Sequence, residues 1–156
     1  MAIRRRNARI FQRKEVIKAV APLPPISPVE VAGWSPMIMG TMSGGQETFL
    51  VHRLLGVSGR MGELRTFVEG ITGAKAGTLH VVVTDGASII DFTEALLPGP
   101  SLFNDTIKVN RGDRLTVSVS IVADANQTDA KMTGVWFNAV IVPDREYAKH
   151  IENLHT

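Results

Sequence analysis

Residues 115–121 read Leu-Thr-Val-Ser-Val-Ser-Ile, the clearest alternation in the chain. Every second residue is apolar, and the residues between carry hydroxyl groups. A period of two is that of a β-strand with one buried face. We therefore expect Leu115, Val117, Val119 and Ile121 to face a core. Thr116, Ser118 and Ser120 are expected to face outward.

Turn signals flank this strand. Asn110-Arg111-Gly112-Asp113 lies just before it, after the short apolar pair Ile107 and Val109. Arg-Gly-Asp is also a tripeptide that some receptors bind. Turn chemistry is the stronger interpretation, because glycine allows a positive φ and Asp is tolerated in turns.

Further upstream, Leu79, Val81 and Val83 alternate with more polar residues. Asp85-Gly86 then predicts a hairpin turn. The other predicted strands are 36–42, 47–55, a strand in which Leu64, Thr66 and Val68 alternate with Arg65, Phe67 and Glu69, 88–92 and 131–142. About eight short strands with almost no helix predict a mainly β protein, a jelly-roll-like sandwich of antiparallel strands.

The segment Lys131–Val142 is nearly all apolar. Such a run is typical of a central strand covered on both faces. We therefore expect Trp136 to pack in the core. Trp34, which follows a proline-rich segment, is expected to hold that segment against the body.

Charge is distributed unevenly along the 156 residues. Residues 1–20 hold seven Lys/Arg and one Glu, a net charge of +6, whereas residues 21–156 hold ten Lys/Arg and fourteen Asp/Glu, a net charge of −4. Residues 21–28 contain four prolines, which favour an extended linker. The predicted organisation is a basic arm at 1–20, a linker at 21–28, a β-sandwich at 29–142 and a short helix or tail at 143–156. Tyr147, Ile151 and Leu154 would share one face of that helix.

The arm is the best candidate for a functional element. A run of charges alone is commonly a solvated tail, but here apolar residues recur among the arginines, which favours a docking surface. The candidate docking residues are Arg4, Arg5, Arg6, Arg9, Ile10, Phe11, Arg13, Lys14 and Ile17.

Motifs for catalysis or metal binding are lacking. With no cysteine, thiolate metal sites and disulfides are excluded. The four histidines, at 52, 80, 150 and 155, form no ligand motif and no evident cluster with carboxylates. No nucleophile elbow or phosphate-binding loop occurs. A glycosidase would need two facing carboxylates, and several of the acidic residues are at predicted turns. We predict no enzyme activity, no metal and no cofactor.

The segments Gly70–Ser88 and Ile107–Val119 resemble a β-rich module of tailed-phage virion proteins. The similarity lies in a glycine- and alanine-containing link, an apolar strand, the Asp85-Gly86 turn and a later hairpin with Gly112-Asp113. It extends over roughly residues 56–142. The resemblance implies a jelly-roll-like domain of a head fibre, a capsid decoration (cement) protein or a tail fibre. Such proteins are often trimers.

From these observations we expect a non-enzymatic phage virion protein, made in the host cytoplasm. Its arm would dock on the major capsid protein and stabilise the shell. A tail, neck or baseplate component is the alternative within the same class. A carbohydrate-binding jelly roll would need exposed Trp or Tyr, of which the chain has two and one. Weak contact of the arm with the genome is a further alternative. No apolar run approaches the length of a membrane span.

Overall fold

The computed structural model describes residues 28–41, 44–45 and 47–144. This part of the chain is built from strands and the turns that join them. The strands are β1 (Val29–Thr41), β2 (Gly44–Gly45), β3 (Thr48–Leu54), β4 (Gly59–Thr72), β5 (Gly77–Thr84), β6 (Ile89–Leu96), β7 (Gly99–Phe103), β8 (Ile107–Val109), β9 (Arg114–Ser120) and β10 (Asp129–Pro143).

The strands form two antiparallel sheets packed as a sandwich. The first sheet has the order β2-β1-β10-β4-β7, with the short strand β8 also paired to β4. The second sheet has the order β3-β9-β5-β6. The prediction of a mainly β sandwich is confirmed.

Strand pairing is nested, which makes the sandwich a jelly roll. Apart from the short strands β2 and β8, the outermost strands of the sequence pair with each other, β1 with β10. The next pairs inward are β3 with β9, β4 with β7 and β5 with β6. One long hairpin of eight strands folded over on itself gives this nesting and distributes the pairs alternately between two sheets. The predicted number of about eight strands matches these eight principal strands.

The core lies between the sheets, where the sequence alternation placed it. Leu115, Val117 and Val119 of β9 are fully buried, as are Leu79 and Val81 of β5. From the first sheet, the inward residues include Met61, Leu64, Val68, Met132 and Phe137. The sheets approach closely at Gly33 of β1, where an added Cβ would lie 2.0 Å from the backbone oxygen of Leu50 in β3.

The hairpin before β9 confirms the interpretation of Arg111-Gly112-Asp113 as a turn. Gly112 has a φ of +93°. Asp113 is buried, and its Oδ2 accepts a hydrogen bond from the backbone N–H of Asn110 at 2.8 Å. The aspartate that a receptor would need to contact is therefore used inside the turn.

One prediction about faces was right but incomplete, and another was wrong. Ser118 faces outward as expected, but it is only 1% exposed because Glu47 lies over it and accepts its hydroxyl hydrogen. Strand β10 is central in its sheet, between β1 and β4, but only one of its faces is covered by described residues. Lys131, Trp136 and Val142 on the other face are exposed.

The basic arm at 1–20, the linker up to residue 27 and the predicted helix after Asp144 lie outside the described residues.

Candidate functional site

A row of apolar rings crosses the outer face of the first sheet. Trp34 of β1 is paired in register with Trp136 of β10, which is paired with Phe67 of β4, and Phe67 is paired with Pro100 of β7. These four residues are the aromatic row. Because neighbouring strands lie about 4.8 Å apart, the row extends about 14 Å across four strands.

The rings of the aromatic row are open to solvent. Trp34 is 51% exposed, Trp136 53% and Phe67 44%. The two indole rings have centroids 5.6 Å apart and planes inclined by 39°, so they form one shallow, angled surface. The expectation that Trp136 packs in the core was wrong, because it points away from the core while its neighbour Phe137 points into it.

Polar side chains border the aromatic row on one side. Asn138 of β10 is paired in register with Arg65 of β4, and its Nδ2 donates a hydrogen bond to Oε1 of Glu30 in β1. These three residues are the polar rim. A side-chain amide has two donor hydrogens and an acceptor oxygen. The bond to Glu30 therefore fixes the amide and leaves it further hydrogen-bonding capacity.

Two shallow depressions lie where the aromatic row meets the polar rim. One, of about 280 Å³, is lined by Trp136, Phe67 and all three residues of the polar rim, together with Ala32, Thr66 and Phe137. The second, of about 400 Å³, is on the other side of Arg65, against Pro100 and Leu102 of β7. Apolar walls with a few convergent polar groups are typical of small-molecule sites.

The outer face of the second sheet carries a different arrangement, centred on His80 of β5. Its Nε2 lies 2.5 Å from Oδ1 of Asp91 in β6, and its Nδ1 lies 3.5 Å from Oε1 of Glu47. Glu47 also accepts the hydroxyl hydrogen of Ser118 from β9. We refer to Glu47, His80, Asp91 and Ser118 as the histidine cluster. The sequence-based expectation that no histidine lies among carboxylates was wrong.

The charge of the histidine cluster is set by its carboxylates. The hydrogen bond to Asp91 raises the pKa of His80 above its ordinary value of 6.5, and burial opposes this rise only in part; Glu47 adds to it. Ser118 donates to Glu47, and both ring nitrogens of His80 face carboxylates. The cluster therefore lacks the serine–histidine hydrogen bond of a Ser-His-Asp triad.

Other carboxylates have structural contacts. Oδ1 of Asp85 accepts hydrogen bonds from the backbone N–H groups of Ala87 and Ser88 at 2.7 and 2.8 Å, which lowers the pKa of this exposed aspartate. Glu94 and Asp105 share a hydrogen bond between their carboxyl groups, which raises the pKa of Glu94.

Among residues 28–41, 44–45 and 47–144, no group of three or more His, Cys, Asp or Glu side chains is arranged to hold a metal ion. The same residues contain no helix long and apolar enough to cross a membrane. The predicted docking residues of the arm all lie outside this part of the chain, so the structure does not bring them to any site.

Comparison with known proteins shows no matching family model and no matching curated protein. Among solved structures, the chain is similar to a chain of infectious bursal disease virus, Gt strain, at 14% identity and a TM-score of 0.43, covering 77% of this chain and 38% of that one. It is also similar to a chain of the T13 viral particle of the same virus, at 13% identity and a TM-score of 0.32, covering 81% and 42%.

A third similar structure is TmCBM61 in complex with beta-1,4-galactotriose, at 16% identity and a TM-score of 0.35, covering 71% of this chain and 68% of that one. This chain spans about two fifths of the length of the viral chains. Similarities of this size establish neither a family nor a function for the protein.

Proposed function

We propose that this chain is a non-enzymatic structural protein of a phage virion, a capsid decoration (cement) or head-fibre protein that docks on the major capsid protein through residues 1–20. The observation that carries the proposal is the division of charge. A net charge of +6 over the first 20 residues precedes a proline-rich segment and a body of the opposite sign. A basic element set apart from its domain is suited to an acidic surface on a partner.

The form of the body supports a structural role. It is a jelly roll in which His80, Asp91 and Glu47 are paired with one another and Asp85 is bonded to turn backbone. Its described ends lie close together, since Val29 is paired with Ile141 in the first sheet. In a homotrimer, three arms on one body would add effective concentration to docking.

Incorporation into particles tests the docking role. We expect a chain lacking residues 1–20 to lose most of its incorporation. A variant with Arg4, Arg5, Arg6 and Arg9 changed to Gln should lose it in part, and more at high salt, because exposed ion pairs are screened. Light scattering on the full chain and on residues 21–156 should give a trimer for both. Full incorporation without residues 1–20 would exclude the proposal.

Two alternatives are distinguished by the copy number of the protein in the particle and by the salt dependence of DNA binding. A tail, neck or baseplate component would be present in a few dozen copies per particle or fewer, whereas a capsid protein would be present in hundreds. If the arm instead contacts the genome, its binding to duplex DNA should fall steeply with salt, by nearly one counterion per neutralised phosphate.

A carbohydrate-binding role is favoured by one observation, the exposed tryptophan pair.

A further inference from the structure

The aromatic row is unusual for the outer face of a sheet, and its exposed rings have the chemistry of a ligand-binding surface. In a β-sandwich the outer face of a sheet is expected to be polar. Here the largest side-chain type, Trp, occurs twice, in register on adjacent strands and about half exposed. Contact between apolar rings and water is unfavourable, and an apolar patch left exposed in the folded domain often marks a binding site.

The area of the row indicates the size of its occupant. An aromatic side chain buries about 150–250 Å² when fully covered. With its rings about half exposed, the aromatic row offers roughly 300–400 Å². A standard protein interface buries about 800 Å² on each partner. The row alone is therefore smaller than a standard protein interface and of a size to hold a small ligand, although Met37, Met39 and Leu102 add exposed apolar surface on the same face.

The chemistry of the surface indicates the class of ligand. Hexopyranose rings present a flat face of C–H groups, which packs on an indole ring, and an edge of hydroxyl groups, which need donors and acceptors. The aromatic row supplies the first kind of contact, and the amide of Asn138 and the charged groups of Glu30 and Arg65 supply the second. Arg65 is balanced by Glu30 and by Glu63, whose Oε2 lies 3.9 Å from Nη2 of Arg65. The surface therefore has no excess of positive charge to attract an anionic polymer such as nucleic acid.

The arrangement is extended along the row, as a chain of sugars requires. The aromatic row crosses four strands, and the two depressions lie side by side on either side of Arg65. The bond from Asn138 to Glu30 orients the amide in advance, which lowers the entropy cost of binding. We infer that the outer face of the first sheet binds a neutral oligosaccharide, stacked on Trp34 and Trp136 and hydrogen-bonded to the polar rim.

This inference does not depend on the virion role, because it concerns the body and not the arm. If it holds alongside that role, the particle carries a saccharide-binding surface wherever the protein is displayed. Particle incorporation and sugar binding are measured separately, so either one can fail alone.

A printed array of neutral hexopyranose oligosaccharides, probed with the full chain, tests the inference. The oligosaccharide with the strongest signal is then titrated calorimetrically against the wild type and four variants. We expect Trp136→Ala and Trp34→Ala to weaken binding at least tenfold and Asn138→Ala to weaken it severalfold. Phe49→Ala is the matched control, since Phe49 is 59% exposed on the outer face of the second sheet. It should bind as the wild type does.

Three results would overturn the inference. The first is an array without signal above background. The second is a loss of binding in Phe49→Ala equal to that in Trp136→Ala, with unchanged thermal unfolding. The third is an oligomer, measured by light scattering, that Trp136→Ala dissociates while array binding is unaffected. That third result would assign the row to contact between copies of the chain.

Discussion

The outer faces of the two sheets cover one core but differ in chemistry. On the first sheet, the aromatic row brings two exposed indole rings into contact. On the second, the polar groups of the histidine cluster are paired among themselves. The second face also exposes Phe49, Leu54 and Ile89, but these lie on its two edge strands and form no continuous row. The comparison teaches that a sheet's function is better sought where its surface is unsatisfied than where titratable groups gather.

The largest expected difference lies between two consecutive residues of β10. Phe137 is 1% exposed and Trp136 is 53% exposed. Phe137→Ala should lower the free energy of unfolding by about 3–5 kcal/mol, because it leaves a cavity in the core. Trp136→Ala should lower it by about 1 kcal/mol, mainly through the lost contact with Trp34. Urea denaturation measures both.

An equal cost for the two variants would contradict the comparison between the faces. It would mean that the aromatic row is needed for folding, which would explain the exposed rings without a ligand.

A smaller effect is expected on the second sheet. Glu47→Ala removes the acceptor of the buried Ser118 hydroxyl. The cost should be about 1 kcal/mol, at the low end for an unsatisfied polar group, since truncation also admits water. Adding Ser118→Ala should recover part of this loss, because both partners are then absent. Thermal or urea unfolding of the single and double variants distinguishes the cases. If the double variant is less stable than Glu47→Ala alone, this hydrogen bond is not the reason that Glu47 lies over the strand.

The smallest effect concerns pH. Since the pKa of His80 is raised in the folded protein, the folded state binds the proton more tightly than the unfolded state does. The resulting stabilisation is fully present below about pH 6.5 and is lost as the pH rises through the raised pKa. For an exposed ion pair it should amount to about 0.2–1 kcal/mol. Urea midpoints between pH 5 and pH 9 should show it in the wild type.

His80→Gln should remove this pH-dependent difference, and Asp91→Asn should remove most of it because Asp91 is the main cause of the shift. A wild type that becomes more stable than His80→Gln as the pH rises would show the opposite sign and refute the assignment.

The fold was predictable because its information is local. The alternation in β9 and β5 identifies buried faces, and glycine at positions 86 and 112 marks turns where φ is positive. The jelly-roll pairing could be expected from the number and spacing of such strands.

Both outer-face arrangements depend on register, and most of that register is not local. His80 and Asp91 lie on the two arms of one hairpin, but Glu47 comes from the segment before β3 and reaches them only through the pairing of β3, β9 and β5. Trp136 was misjudged because the apolar run around it indicates two covered faces. One signal in the run pointed the other way. Asn138, two residues after Trp136 and so on the same face of the strand, is a residue that a dry core rarely accepts.

The nested pairing also sets the order in which the molecule can be made. Strand β1 has its long partner in β10, about a hundred residues later, so the first sheet cannot close while the ribosome is still producing β9. Until then the edges of β1 and β4 that β10 will occupy are open to other chains. Contacts this distant in sequence also slow folding. Trp34 therefore has no contact with Trp136 until nearly the whole domain has been synthesised. During that interval, nascent chains at high expression are most prone to misassembly.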